Sequence, residues 1–203
     1  MCANGQGIPR DDAKAFAWYL KAAEQGDADA QWIVAVLYHD GTGVAKDLSR
    51  SIFWYQKGVA QGREDAGTML AQMYRNGEGT PKDLGKALEV YRQIGDDYSI
   101  GHAYHLGSGV ERDDVKAMEF YLKAANAGYA FAPCFIGKMY LDGVGVPHDK
   151  IQAYRWMTRS QHDIAMCDVR YAQLVKNMTP ADLDRAESDP ADVDARGAKS
   201  GKR

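Results

Sequence analysis

The chain has 203 residues, 26% of them charged and 45% hydrophobic, which is the length of one domain and an ordinary globular composition. Its 25 basic and 28 acidic side chains leave a formal charge of −3 and a pI near 5.9, so it lacks the clustered basic excess that binds nucleic acid or anionic membranes. The apolar stretches, such as Trp32 to Tyr38, fall far short of the ~20 residues that span a bilayer, and three cysteines (Cys2, Cys134 and Cys167) are too few for a disulfide framework. The expectation is a soluble chain in a reducing compartment, cytoplasmic as the sequence stands, with neither a nucleic-acid nor a membrane partner.

The glycines reveal an internal repeat. Gly-x-Gly occurs at Gly5/Gly7, Gly41/Gly43, Gly77/Gly79, Gly107/Gly109 and Gly143/Gly145, with spacings of 36, 36, 30 and 36. Six residues after each first glycine stands Asp11, Asp47, Asp83, Asp113 or Asp149, each read as a helix N-cap whose carboxylate accepts first-turn amides and faces the positive end of the helix dipole. Four residues further lie Ala15, Ser51, Ala87, Ala117 and Ala153, and three beyond those Trp18, Trp54, Val90, Phe120 and Trp156. This small-then-large stripe predicts a buried face with the aromatic position in the core. Tyr19, Tyr55, Tyr91, Tyr121 and Met157 follow immediately, and Gly26 and Gly128 stop two of the helices.

A second helix precedes each glycine pair. Val34, Leu70, Ile100 and Ile136 lie four residues before Tyr38, Tyr74, Tyr104 and Tyr140, which places aliphatic and aromatic side chains on one face. Between them Ala35, Ala71, Gly101 and Gly137 permit a neighbouring helix to approach closely. Each unit is thus an antiparallel helix pair that cannot bury its apolar face alone, and stacked pairs make a continuous core.

The pattern resembles the Sel-one-like repeat family, relatives of the tetratricopeptide repeats. Ile136-Gly137, Tyr140, Gly143, Gly145-Val146 and Asp149 carry its first half, and Lys14-Ala15, Trp18-Tyr19 and Lys21-Ala22-Ala23 its second, the resemblance covering roughly residues 3 to 161. It implies an all-α, right-handed α-solenoid of about five repeats. The third is shortened by six residues between Tyr91 and Tyr104, and the first lacks its leading helix, because Met1 to Gly5 aligns with Met73 to Gly77. The expected organisation is a repeat solenoid over 1–177, a capping helix over 178–187 with Thr179 as N-cap and Pro180 at its first position, and a disordered tail over 188–203.

The resemblance implies a non-enzymatic adaptor or scaffold, of a kind common in bacteria, that holds a protein or peptide in a concave groove lined by the first helix of each pair. Its variable positions give the expected contact residues: Trp32, Val36, His39 and Asp40; Thr68, Gln72, Arg75 and Asn76; Tyr98, His102 and His105; Cys134, Lys138, Leu141 and Asp142. Trp32 stands out as a large aromatic whose equivalents, Thr68, Tyr98 and Cys134, vary, so it is either an anchor for a ligand or packing over the unfinished N-terminal edge. That edge could also join a second copy of the chain.

Enzymatic readings are weaker. The glycine loops lack the Lys-Ser or Lys-Thr of a phosphate loop, and no nucleophile elbow is present. His102 and His105 have spacing compatible with a metal, so the alternative is a hydrolase-type or metal-binding site at the third-to-fourth repeat junction, provided that both imidazoles converge with a carboxylate. No metal or cofactor is expected. Cys134 and Cys167, 33 residues apart, read more readily as thiols than as a pair, although proximity is conceivable. Cysteine-rich relatives linked to penicillin binding and hydrolysis carry a disulfide in each repeat, and this sequence lacks those paired cysteines.

Overall fold

A computed structural model describes residues 11–160 and 165–188, and among these residues the secondary structure is entirely helical. The leading glycine pair with its truncated repeat, and the expected tail beyond Ser188, lie outside the described residues. The chain divides into two compact units, Met1–Gly95 and Asp96–Arg203. The first holds α1 (Asp12–Glu24), α2 (Ala28–Asp40), α3 (Leu48–Ala60), α4 (Glu64–Asn76) and α5 (Leu84–Ile94). The second holds α6 (Asp97–Leu106), α7 (Asp114–Asn126), α8 (Ala132–Asp142), α9 (Lys150–Arg159), α10 (Ala165–Lys176) and α11 (Pro180–Ser188). Within each unit consecutive helices pack on one another, the α-solenoid organisation that the repeat predicts, and α10 and α11 close the second unit against α9.

The helix boundaries follow from local chemistry. Asp11, Asp47, Asp83, Asp113 and Asp149 each accept a first-turn amide of α1, α3, α5, α7 and α9. The helices α2, α4, α6 and α8 end at Gly41, Gly77, Gly107 and Gly143, all left-handed with φ between 66° and 76°, where a side chain would crowd the carbonyl. The loop then folds back on its own helix. The amides of Asp47, Asp83, Asp113 and Asp149 donate to the carbonyls of Tyr38, Tyr74, Tyr104 and Tyr140 at 2.8–3.1 Å. The glycine pair is therefore a helix stop whose far end starts the next helix, and the amides of its first glycine and of the residue that follows are committed to carbonyls of the helix it ends. The six-residue deletion leaves α5 with 11 residues and α6 with 10, against 13 in α3 and α4.

Packing corrects one expectation about the core. In α3 and α7 the deepest large residue is the one after the predicted aromatic position, Tyr55 and Tyr121 both being 0% exposed, while in α5 and α9 both positions are buried, Tyr91 and Met157 included. Trp156 and Val90 are buried, but Trp54 and Phe120 only partly, and Trp18 is 67% exposed. The reason is angular. Tyr55 lies four residues from buried Ser51 and continues its stripe, whereas Trp54, three residues on, falls to one flank, where it packs against the Ala30, Val34 and Tyr38 cluster of α2, the leading helix of its own pair. Trp18 occupies that flank on α1, which no described helix precedes.

The small positions of the leading helices do what their size suggests. A Cβ on Gly137 would meet Met157 Cγ at 2.6 Å and the Ala153 carbonyl at 3.0 Å, and one on Gly101 would meet Tyr121 and the Ala117 carbonyl at 3.0–3.1 Å. At the closing end of the second unit, Thr179 and Asp182 cap α11 reciprocally, Lys150 Nζ reaches Asp182 at 2.5 Å, and Arg155 donates to the carbonyls of Arg185 and Ala186. No described helix is long and apolar enough to cross a membrane.

Candidate functional site

In the first unit, the variable positions of α2 and α4 fall into two groups. Trp32 is half-buried beneath the Arg63 guanidinium, 5.5 Å above its ring, and its indole N–H is buried without a hydrogen-bond partner. Arg63 is held in turn by Asp65 (2.6 and 3.0 Å) and Asp29; these carboxylates raise its pKa, Asp65 foremost, while Arg63 lowers that of Asp65. At the other end of the helices, His39 Nδ1 lies 2.7 Å from Asp40 and its Nε2 3.5 Å from Glu78, which also accepts from Asn76 at 2.7 Å. The hydrogen bonds from Asn76 and then His39 hold the Glu78 carboxyl below its usual value. Val36 is partly buried, and Thr68, Gln72, Arg75 and Asn76 are exposed, with Thr68 bonded back to the Glu64 carbonyl.

The sequence reading missed Glu78. It is the middle residue of Gly77-Glu78-Gly79, where the other described loops carry Thr42, Ser108 and Val144. A variable residue between two fixed glycines is the signal that could have found it. A groove of about 550 Å³ opens between α3 and α5, bordered by Gln56, Tyr74, Lys86 and Glu89, all residues the reading had assigned to no site.

In the second unit the leading helices carry an aromatic cluster. Tyr98 stacks on Tyr129 with ring centroids 4.5 Å apart, His102 lies parallel to Tyr98 at 6.1 Å, and Phe135 stands edge-on to both at 5.5 and 5.8 Å. Phe131 completes it, 5.8 Å from Tyr129. Tyr129 and Phe131 are 41% and 47% exposed and were not among the expected contact residues. Their signal is positional: the first and third residues after the stop glycine are Asp27 and Asp29, then Arg63 and Asp65, then Asp96 and Tyr98, and after Gly128 both are aromatic. Burial, then Tyr129, then Asp96 push the Tyr98 phenol up to about 12.

The histidines do not converge. His102 Nδ1 faces the Tyr121 hydroxyl at 3.2 Å, whereas His105 Nδ1 pairs with Asp114 at 2.6 Å, a carboxylate shared with Arg112. Three residues apart on one helix, they look to different partners, and the described residues contain no group of three or more His, Cys, Asp or Glu poised for a metal.

Cys134 requires a correction. It is 2% exposed and bonded to Cys167 of α10 across a Cα separation of 5.9 Å, so it is a fastening of the cap and not a contact position. Lys138 and Leu141 are partly buried, Leu141 against the core, and exposed Asp142 accepts from Arg170 at 2.8 Å.

The sequence model of the Sel1 repeat matches residues 1–27, 28–62, 65–93, 97–129 and 132–160. The chain belongs to the Sel1 repeat family. Among solved structures it is similar to a Sel1 repeat protein from Oxalobacter formigenes, with a TM-score of 0.77 and 30% identity, covering 92% of this chain and 83% of that one. It is also similar to a protective antigen of uropathogenic Escherichia coli that displays an SLR fold, with a TM-score of 0.78 and 28% identity over 91% of this chain and 42% of that one. A curated relative is the ERAD-associated E3 ubiquitin-protein ligase component HRD3A of Arabidopsis thaliana, 42% identical over 67 residues, which are 32% of this chain. The match spans a tenth of that relative's length.

Proposed function

We propose that this Sel1 repeat protein is a non-enzymatic scaffold that binds a protein or peptide along its leading helices, α2 and α4 in one unit and α6 and α8 in the other. The observation that carries this reading is the contrast between the two classes of position in those helices. Val34, Leu70, Ile100 and Ile136 repeat and are buried, while the positions beside them change from repeat to repeat and, Cys134 excepted, remain partly or fully accessible. A side chain that neither repeats nor packs is available for a ligand. The test compares retention of the native partner by two variants. Gln72→Glu with Arg75→Glu and Phe131→Ala alters the leading helices, and Phe53→Ala with Glu89→Lys alters the trailing ones. Loss only in the first variant supports the reading, and loss only in the second overturns it.

The exposure of Trp18 on α1 favours a second reading, self-association through that edge, and a solution mass of one chain or two decides it. The Cys134–Cys167 bond supports an oxidising compartment in place of the reducing one that the cysteine count suggests, since such bonds persist where thiols are not kept reduced.

A further inference from the structure

We propose that the aromatic cluster of the second unit, with Asp96 at its edge and Asp97 next to it in the chain, receives an arginine or lysine side chain of a partner protein. This rests on the scaffold reading and names the chemistry of what that scaffold takes at one place.

Four aromatic side chains are markedly exposed among the described residues, and they divide into two kinds. Trp18 and Phe53, in the first unit, each carry a cation of their own helix over the ring, Lys21 at 5.1 Å and Lys57 at 5.6 Å. No described Lys or Arg stands over the ring of Tyr129 or Phe131, although Arg159 borders the same hollow as Tyr129. Asp96 lies close enough to the Tyr98 and Tyr129 phenols to bias both towards the protonated form, after burial in each case. One oxygen of Asp96 accepts the Ser99 amide as the cap of α6, and neither Asp96 nor Asp97 forms an ion pair with a described residue. Negative ring faces beside unpaired carboxylates are complementary to a positive charge on a flat or flexible stem, which a guanidinium or ammonium supplies.

The rings are also pre-organised. Tyr98 is stacked with Tyr129, lies parallel to His102 and has Phe135 standing edge-on to it, so little side-chain freedom remains to be lost on binding. The partner's cation would lie against the exposed faces of Tyr129 and Phe131 and be held on the acidic side.

The experiment is an NMR titration of the full chain with capped Gly-Gly-X-Gly-Gly peptides, in which X is Arg, Lys, Leu or Glu, reading the ring signals of Tyr129 and Phe131. The expected result is saturable shifts with Arg and Lys, binding at least about threefold tighter than Leu, nothing with Glu, and weakening between about 0.05 and 0.5 M salt. Asp96→Asn with Asp97→Asn removes the charge but keeps a capping side chain, so the helix persists while Arg binding falls about threefold or more. Leu binding as tightly as Arg, an unchanged affinity in the Asn variant, or no shift with any peptide would each overturn the proposal. If Tyr129→Ala with Phe131→Ala leaves capture of the native partner intact, the cation site falls and the scaffold reading stands. If neither this variant nor the leading-helix variant affects capture, both fall.

Discussion

Gly145 rests its α-carbon on the main chain of Asp114, the first residue of α7, so closely that a side chain would occupy the place of the Asp114 carbonyl. Gly43 bears the same relation to Asp12, and Gly79 to Leu48. In these three pairs the second glycine thus seats one repeat on the helix start of the repeat before it.

Gly145→Ala is expected to be strongly destabilising, because it combines a left-handed φ of 71° with backbone overlap that no rotamer relieves. Gly128→Ala shares the left-handed φ, at 87°, but meets open space, and should cost only ~1–2 kcal/mol. Urea midpoints of the two variants separate the effects. Equal losses would mean that the loop can move away from α7.

The corrected core makes a ranked prediction for three aromatic truncations in the first unit. Tyr55→Ala removes a fully buried ring and should cost ~3–5 kcal/mol, Trp54→Ala roughly half of that, and Trp18→Ala no more than ~0.5 kcal/mol. Denaturation midpoints that place Trp54 above Tyr55 would restore the aromatic stripe as the deepest layer.

Denatured without reductant, the chain should present one titratable thiol from its three cysteines, since Cys134 and Cys167 are joined. Reduction releases α10 from α8. With the two cysteines separated by 33 positions, the loss should be ~3–4 kcal/mol and confined to the second unit, read as a fall in its melting temperature with the first unit unchanged.

The cap should also loosen in acid. The Lys150 ammonium, followed by the Thr179 amide and hydroxyl, lowers the Asp182 carboxyl from an ordinary 3.8 to about 2. A carboxyl lowered in the folded state contributes stability that is present above its ordinary value and is lost as the pH falls through the folded one. Amide exchange in α11 should therefore accelerate between about pH 4 and pH 2. In Lys150→Met the acceleration should begin nearer pH 4, and an unchanged profile would mean that Asp182 does not fasten α11 to α9.

The sequence by itself determined the helices and their ends. An aspartate that caps an amide three residues on, or a glycine that takes a left-handed φ at a helix stop, acts within its own turn, so Asp47, Asp83, Gly41 and Gly77 could be read without knowing their neighbours. The close-packed glycines Gly101 and Gly137 were also legible, because an absent side chain at a repeated position implies an approaching helix. Tertiary structure decided what lies between residues far apart in the chain. Whether Tyr55 or Trp54 is deeper depends on which flank the preceding helix covers, and a repeat period marks both alike. The joining of Cys134 to Cys167 depends on how α10 lies against α8. The gathering of His39, Asn76 and Glu78, and of Tyr98, Tyr129 and Phe131, requires helices one repeat apart to stack in register. That register is fixed by burial of apolar surface, a force without direction that leaves no mark on the polar residues it brings together.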